Sequence, residues 1–409
     1  MTPRTPASAP PQSRRVALAI FALAIGSFGI GTTEFVAMGL LPDIARDLLP
    51  ELAAQSADAA NAQAGWLITL YALGVVVGAP TIAAVAARWP RRTVLVWLAV
   101  AFTVGTLATA LLPTFETVLV ARFLSGLPHG AYFGLAALVA ADLMGPGRRG
   151  RGITLVMTGL TVSNMIGVPL ATVVGQHLGW RAAFLIVAGI FALTAVAVRL
   201  ALPEMPGNPG QTVRRELEVF RRPQVWFATG IGAIGFGGFF AVYSYLAPLG
   251  TEVSGLTPEN VPWLMATMGL GMTLGTLAAG RLIDRSVKAA LFGSFAMMIA
   301  VLALLLLIAG STVGIFAGIF LVGIASSGIG PAVQTRLMDV AGDAQSIAAA
   351  LNHSAMNLGN ASGAFFGGLV VAAGLGYLAP LWVGIVLTSL GVVIAAASFR
   401  LDRRSAESR

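Results

Sequence analysis

The chain has 409 residues, of which 57% are hydrophobic and 10% charged, and its mean hydropathy is +0.85. A soluble domain carries roughly 25% charged residues because its whole surface faces water, so this composition excludes one and requires a surface that faces lipid. The net charge of +8 does not indicate nucleic acid, because the basic residues fall in short clusters between apolar segments, as membrane topology demands.

Cysteine is absent, which removes disulfides and thiolate metal sites. The three histidines, His129, His177 and His353, are scattered, so neither a metal nor a cofactor is expected. His177 and His353 fall near predicted span ends. The N-terminal Arg14 and Arg15 precede an apolar run from Val16 that could pass for a secretory signal. That run continues for about 26 residues and many like it follow, so it reads as a first membrane span.

Crossing the hydrocarbon core takes about 20 apolar residues. Spans are predicted at roughly 16–41, 65–87, 93–112, 116–142, 152–178 and 181–202, then at roughly 225–250, 261–283, 289–309, 313–335, 347–372 and 377–399. Alternate loops hold the arginine clusters: Arg88, Arg91 and Arg92; Arg148, Arg149 and Arg151; Arg214, Arg215, Arg221 and Arg222; and Arg285 with Lys288, the only lysine. The opposite loops carry essentially Arg46 and Arg181. This bias predicts a multi-pass inner-membrane protein with both termini cytoplasmic. The domains expected are residues 1–202, a cytoplasmic linker at 203–224 that opens with Pro203, Pro206 and Pro209, and residues 225–409.

A shift of about 197 residues aligns Trp66 with Trp263, Gly74 with Gly271, Gly78 with Gly275, Arg88 with Arg285, and Asp142 with Asp339. Tryptophan, arginine and aspartate are rare here, so those matches carry the repeat. An all-α membrane protein of 12 transmembrane helices follows, in two pseudo-twofold-related six-helix bundles. Such parallel repeats are one architecture of secondary transporters, which bind a small molecule between the halves and open to alternate sides.

Several stretches carry a family resemblance. Gly31-Thr32-Thr33-Glu34-Phe35, continuing to Gly39-Leu40-Leu41-Pro42-Asp43, resembles the first helix of major facilitator drug:proton antiporters, particularly bacterial chloramphenicol exporters and arabinose or sugar efflux permeases. Gly280-Arg281-Leu282-Ile283-Asp284-Arg285 with Lys288 is similar to that superfamily's loop signature. The first-half copy keeps Arg88, Arg91 and Arg92 but has Ala87 in place of the acid. Arg122-Phe123-Leu124-Ser125-Gly126 is similar to the fourth-helix arginine motif. Gly159 to Pro169, with Asn164 and Gly167, resembles the fifth-helix antiporter motif, from which Ser163 and Val168 depart. The resemblance implies a major facilitator fold, a monomer, a small-molecule substrate and protons as the coupling ion.

At helix ends, Asp284 and Arg285 could form a charge-assisted latch between helices, or act only as topology charges. Gly159, Gly167 and Pro169 either bend the fifth helix at the seam between halves or simply pack it. Glu34 is the only acidic residue well inside a predicted span, and an ionisable group at membrane depth is costly and usually functional. Two readings stand for it: a carboxylate that alternately binds proton and substrate, or a structural group neutralised by arginine or backbone. Arg122 lies at a similar depth, both being roughly 10 Å from one surface at 1.5 Å per residue, so pairing is feasible. His129 is a cavity hydrogen-bonder, a proton relay or a packed polar residue. Tyr71, Asn164, Tyr243, Tyr245, Gln334, Asn357 and Asn360 are further candidates for orienting a substrate in an apolar pocket.

Export of a small, largely uncharged compound, a drug such as chloramphenicol or a sugar, is the function expected. The alternative is an uncoupled facilitator or importer of a sugar-like or nucleoside-like solute. A membrane enzyme is not expected, because no span holds a carboxylate pair and no His-x-x-x-x-Asp pattern occurs.

Overall fold

The computed structural model describes residues 12–86, 88–145, 149–206, 218–341 and 345–407. Among these, helices run close to the predicted spans. Gln12–Gly39, Trp66–Ala86, Arg91–Leu111, Phe115–Met144, Arg149–Leu178 and Trp180–Ala201 match the first six. Val261–Arg285, Val287–Ile308, Thr312–Ser326 with Ile329–Ala341, Gln345–Ala372 and Ala379–Glu407 match the last five. Among the described residues, ten segments are long and apolar enough to cross a membrane. The helices at the predicted eighth and eleventh spans are not among those ten, although they are 25 and 28 residues long. No strand occurs among the described residues.

Three departures from the expected spans have local causes. The seventh span is broken into Pro223–Gly235, Gly237–Tyr243, Leu246–Pro248 and a π-turn at Leu249–Val253. Its glycines are there for close approach. A Cβ on Gly235 would lie 3.1 Å from the Gly391 Cα, and one on Gly238 would lie 2.5 Å from the Gly384 carbonyl oxygen. Small residues let helix backbones meet in lipid, where van der Waals packing drives association. The fifth span carries a π-bulge at Ser163–Gly167, a distortion common at functional sites. The segment after the first span forms three short helices, Leu41–Leu48, Pro50–Gln55 and Ala57–Ala64, the first two opened by Pro42 and Pro50 near their N-termini, where proline's missing N–H costs nothing.

The glycine contacts recur at the repeat offset. A Cβ on Gly74 would lie 2.2 Å from the Phe123 carbonyl oxygen, and one on Gly271 would lie 2.2 Å from that of Phe320. Gly78 faces the Leu127 backbone as Gly275 faces that of Ile324. The second and fourth spans thus meet as the eighth and tenth do. Trp66 and Trp263 are exposed in the first turns of the second and eighth spans.

The two halves of the chain meet along two seams. The second span packs on the eleventh, and the fifth packs on the eighth, where a Cβ on Gly269 would lie 2.5 Å from the Asn164 carbonyl oxygen. This arrangement carries the first span's interior to the interface between halves.

Candidate functional site

Glu34 lies near the last turn but one of the first helix and is 5% exposed. A lone buried carboxylate must find donors, and its donor comes from the other half of the chain. Asn360 Nδ2 of the eleventh span donates to Glu34 Oε1 at 3.0 Å. The second carboxylate oxygen faces His129 Nδ1 of the fourth span at 4.0 Å, and that nitrogen is hydrogen-bonded to Tyr71 Oη of the second span at 3.1 Å. Four helices and both halves of the chain therefore converge on one carboxyl group.

Arg122 does not pair directly with Glu34. Its Nη1 donates to the Thr33 carbonyl at 3.1 Å and its Nε to the Leu67 carbonyl at 3.4 Å. The guanidinium lies 4.2 Å from the Tyr71 ring centroid, a cation–π contact strengthened by desolvation. The shared depth read from sequence holds, but the arginine spends its donors on backbone one residue away from the acid. Its Nη2 is buried without a hydrogen-bond partner.

Around this centre, Tyr243 donates to Asn164 Oδ1 at 3.4 Å, linking the seventh span to the π-bulge of the fifth. Phe35 stacks on Tyr243 at 5.3 Å and on Phe240 at 6.2 Å, giving the site an aromatic wall. Asn357, one turn before Asn360, donates to the His353 carbonyl at 3.1 Å. The amide oxygens of Asn357 and Asn360 are both buried and without partners.

Two sequence candidates lie elsewhere. Tyr245 donates to the Ala364 carbonyl at 3.0 Å and packs against Gly65, away from Glu34. Gln334 in the tenth span accepts from Asn352 at 3.4 Å. His353, read as an end-of-span residue, is instead inside the eleventh helix, its ring stacked on Phe133 at 4.9 Å and 6.1 Å from the His129 ring. Its place was legible, because His353, Asn357 and Asn360 follow the i, i+4, i+7 spacing of one helix face. Thr33 and Phe35 flank Glu34 in the quoted motif, but no spacing argument selects them.

Of the residues expected to latch helix ends, Arg91 pairs with Asp142 of the fourth span and Arg92 with Glu204, while Arg88 is exposed. Arg285 and Lys288 are exposed, and the lysine ammonium lies 5.9 Å from the Phe399 ring centroid. The side chains of Gly280 and Asp284 lie outside the described residues, as do Arg148, Arg214 and Arg215. In the fifth-span motif, a Cβ on Gly159 would lie 2.2 Å from the Ala24 carbonyl oxygen, and Gly167 faces Phe28 and Thr32. Pro169 is buried just after the π-bulge. The motif thus holds the fifth span against the first along Ala24 to Thr32, ending two residues before Glu34, where Thr32 and Ser163 hydroxyls bond at 2.9 Å.

Comparison with known proteins matches this arrangement to one family. The profile of the Major Facilitator Superfamily matches residues 23–344 and again 251–409. The chain is 36% identical over 381 residues to the inner membrane transport protein YdhP of Escherichia coli (strain K12), covering 93% of this chain and 96% of that one. It is 30% identical to a chloramphenicol resistance protein of Streptomyces lividans over 382 residues, covering 92% and 95%. Among solved structures, the human organic anion transporter MFSD10 superposes with a TM-score of 0.69 at 15% identity, covering 95% of this chain and 100% of that one.

Proposed function

This chain belongs to the Major Facilitator Superfamily, and we propose that it is a proton-coupled exporter of a small, largely uncharged compound, working by alternating access in the bacterial inner membrane. One observation carries the reading: a buried carboxyl of the first span, Glu34, is hydrogen-bonded to Asn360 across the interface between the two halves of the chain. A group so placed feels any motion of one half against the other, and its charge is unfavourable in the apolar interior unless donors are supplied. Rocking of the halves changes those donors, so proton affinity and conformation become linked.

In this reading, residues 1–202 and 225–409 are the two rocking bundles, 203–224 is their cytoplasmic linker, and the monomer is the working unit. Both termini are cytoplasmic. The arginine-rich helix ends then face the cytoplasm, and the Asn61 end of the second span faces the periplasm. The absence of a second buried acid among the described spanning helices suits an uncharged substrate. Resemblance to a chloramphenicol resistance protein makes chloramphenicol the first probe.

Everted membrane vesicles from an efflux-deficient bacterium test this. Acidifying the vesicle lumen should drive accumulation of radiolabelled chloramphenicol or another screened drug or sugar, and a protonophore should abolish it. Glu34→Gln should lower gradient-driven accumulation at least about tenfold while leaving downhill exchange. Equal gradient-driven accumulation by the Gln variant would make Glu34 structural, and a wild type that shows none would make the protein an uncoupled facilitator.

A further inference from the structure

An uncharged substrate poses a problem for a carboxylate that must exchange it for a proton, since the two do not compete for charge. The Glu34–Asn360 bond offers another means of exchange. A carboxylate only accepts hydrogen bonds, whereas a protonated carboxyl also donates. With Glu34 ionised, Asn360 turns its Nδ2 to Oε1, which fixes the orientation of the amide from its partner. Its Oδ1 is then left buried and unpartnered, on a residue with 0% exposure.

We propose that the Asn360 amide is a polarity switch: beside ionised Glu34 it presents its oxygen to a substrate donor, and beside protonated Glu34 it turns over and presents its nitrogen. When a proton adds to Oε1, the new O–H and the Asn360 N–H would be two donors face to face. Rotation of the amide by about 180° lets Oδ1 accept from the acid, and Nδ2 takes the place that Oδ1 held. A substrate N–H or O–H at that place then meets a donor, and binding weakens by roughly tenfold for one buried mismatch. Proton and neutral substrate exclude each other without sharing a charge.

Asn357 does not switch. Its Nδ2 donates to the His353 carbonyl, which accepts in either state, so its buried Oδ1 remains an acceptor throughout. The pair, three residues apart on one face, calls for an uncharged compound with at least two N–H or O–H donors. The stacked Phe35, Tyr243 and Phe240 favour a flat apolar or aromatic body on the same molecule. The other groups facing Glu34 are Arg122 and His129 of the fourth span, Tyr71 of the second and Tyr243 of the seventh. Arg122 and Tyr243 already donate to Thr33, Leu67 and Asn164, and Tyr71 is bonded to His129. With the proton on Oε1, the oxygen that Asn360 contacts, Asn360 is therefore the partner whose hydrogen bond changes.

The proposal rests on the proton-coupled reading of Glu34, and two measurements separate their failures. The first uses ligand-free, full-length protein, unlabelled or grown with side-chain 15N-asparagine, in infrared difference spectra between acid and alkaline pH. A carboxyl band absent from Glu34→Gln should appear together with a shift of an asparagine amide band, and Asn360→Leu should remove the amide shift. If the Leu variant does not fold, the labelled wild type and Glu34→Gln still decide. A Glu34 band that titrates with no asparagine shift, or no titrating Glu34 band, overturns the switch.

The second measures binding of chloramphenicol and its O-acetyl derivative, which has one hydroxyl donor fewer. Chloramphenicol should bind roughly tenfold more weakly once Glu34 is protonated, whereas Asn360→Leu should bind it equally at both pH values and Asn360→Gln should restore part of the dependence. An unchanged pH dependence in Asn360→Leu overturns the switch. If wild type binds neither compound, the choice of substrate in the functional reading fails, and the spectra still judge Asn360.

Discussion

Asn61, in the short helix before the second span, donates its Nδ2 to Tyr377 Oη at 2.8 Å, joining residues 316 positions apart. On the other seam, Gln176 at the end of the fifth span donates to the Pro258 carbonyl at 2.7 Å. Both bonds tie the halves on the face away from the arginine clusters, and on the first of these seams Trp66 packs edge-on against Phe365 at 5.2 Å. These two hydrogen bonds and the aromatic contact join the halves on this face.

Loosening those bonds should therefore favour opening on that face. A hydrogen bond contributes about 1 kcal/mol net, so Tyr377→Phe and Gln176→Ala together should raise the open population by more than tenfold. The chain has no native cysteine, so spin labels placed on single introduced cysteines in each half report distances without background. An unchanged distance distribution in the double variant would show that the closure is held elsewhere.

Arg122→Lys should not behave as a conservative change. The guanidinium reaches the Thr33 and Leu67 carbonyls and covers the Tyr71 ring at once, and a compact ammonium cannot reproduce that planar fork. Transport should fall at least about tenfold, and the melting temperature should drop, because a buried carbonyl loses its donor. Thermal unfolding in detergent and vesicle transport give the two readouts; a Lys variant equal to wild type in both refutes the assignment.

The repeated glycine contacts predict matched penalties. Gly74→Ala and Gly271→Ala each push a Cβ to 2.2 Å from a backbone carbonyl oxygen, so each should destabilise by about 1–3 kcal/mol through overpacking. Gly134→Ala in the fourth span meets nothing within 4 Å and should be neutral or stabilising by about 0.5–1 kcal/mol, since alanine is the better helix former. Denaturation midpoints of the three variants decide this; a Gly271→Ala protein as stable as Gly134→Ala would break the equivalence of the two contacts.

Asp47, beyond the first span, should give a pH signature. Burial alone would raise its pKa, but hydrogen bonds from Arg181 and Trp180 outweigh burial and hold it below the ordinary 3.8. A depressed carboxyl contributes stability that is present above its unfolded pKa and lost as pH falls through the folded one. Asp47→Asn should thus cost no more than about 1 kcal/mol near neutral pH, because the pair is half exposed and screened by salt. The difference from wild type should vanish as the pH drops below 3.8. A gap between the two melting curves that persists in acid would mean that charge is not the cause.

The all-helical membrane class, most of the spans and the glycines of the repeat were legible in the sequence, whereas the breaks in the seventh span and the π-bulge in the fifth were not. The reason is that lipid leaves the backbone one choice, satisfying its own hydrogen bonds, so length and hydropathy decide each span. Glu34 could be singled out for the same reason, as a carboxyl in a stretch where water cannot compensate it. What surrounds Glu34 was decided only by tertiary structure. Equal depth along two helices says nothing of their rotation, so Arg122 was a feasible partner, and it turned its donors to Thr33 and Leu67 instead. Asn360 lies 326 positions from Glu34 in the chain, and no local pattern links them. Their bond exists because the second span packs on the eleventh and the fifth on the eighth, contacts set by how glycine-lined helix faces fit together rather than by the order of residues along either helix.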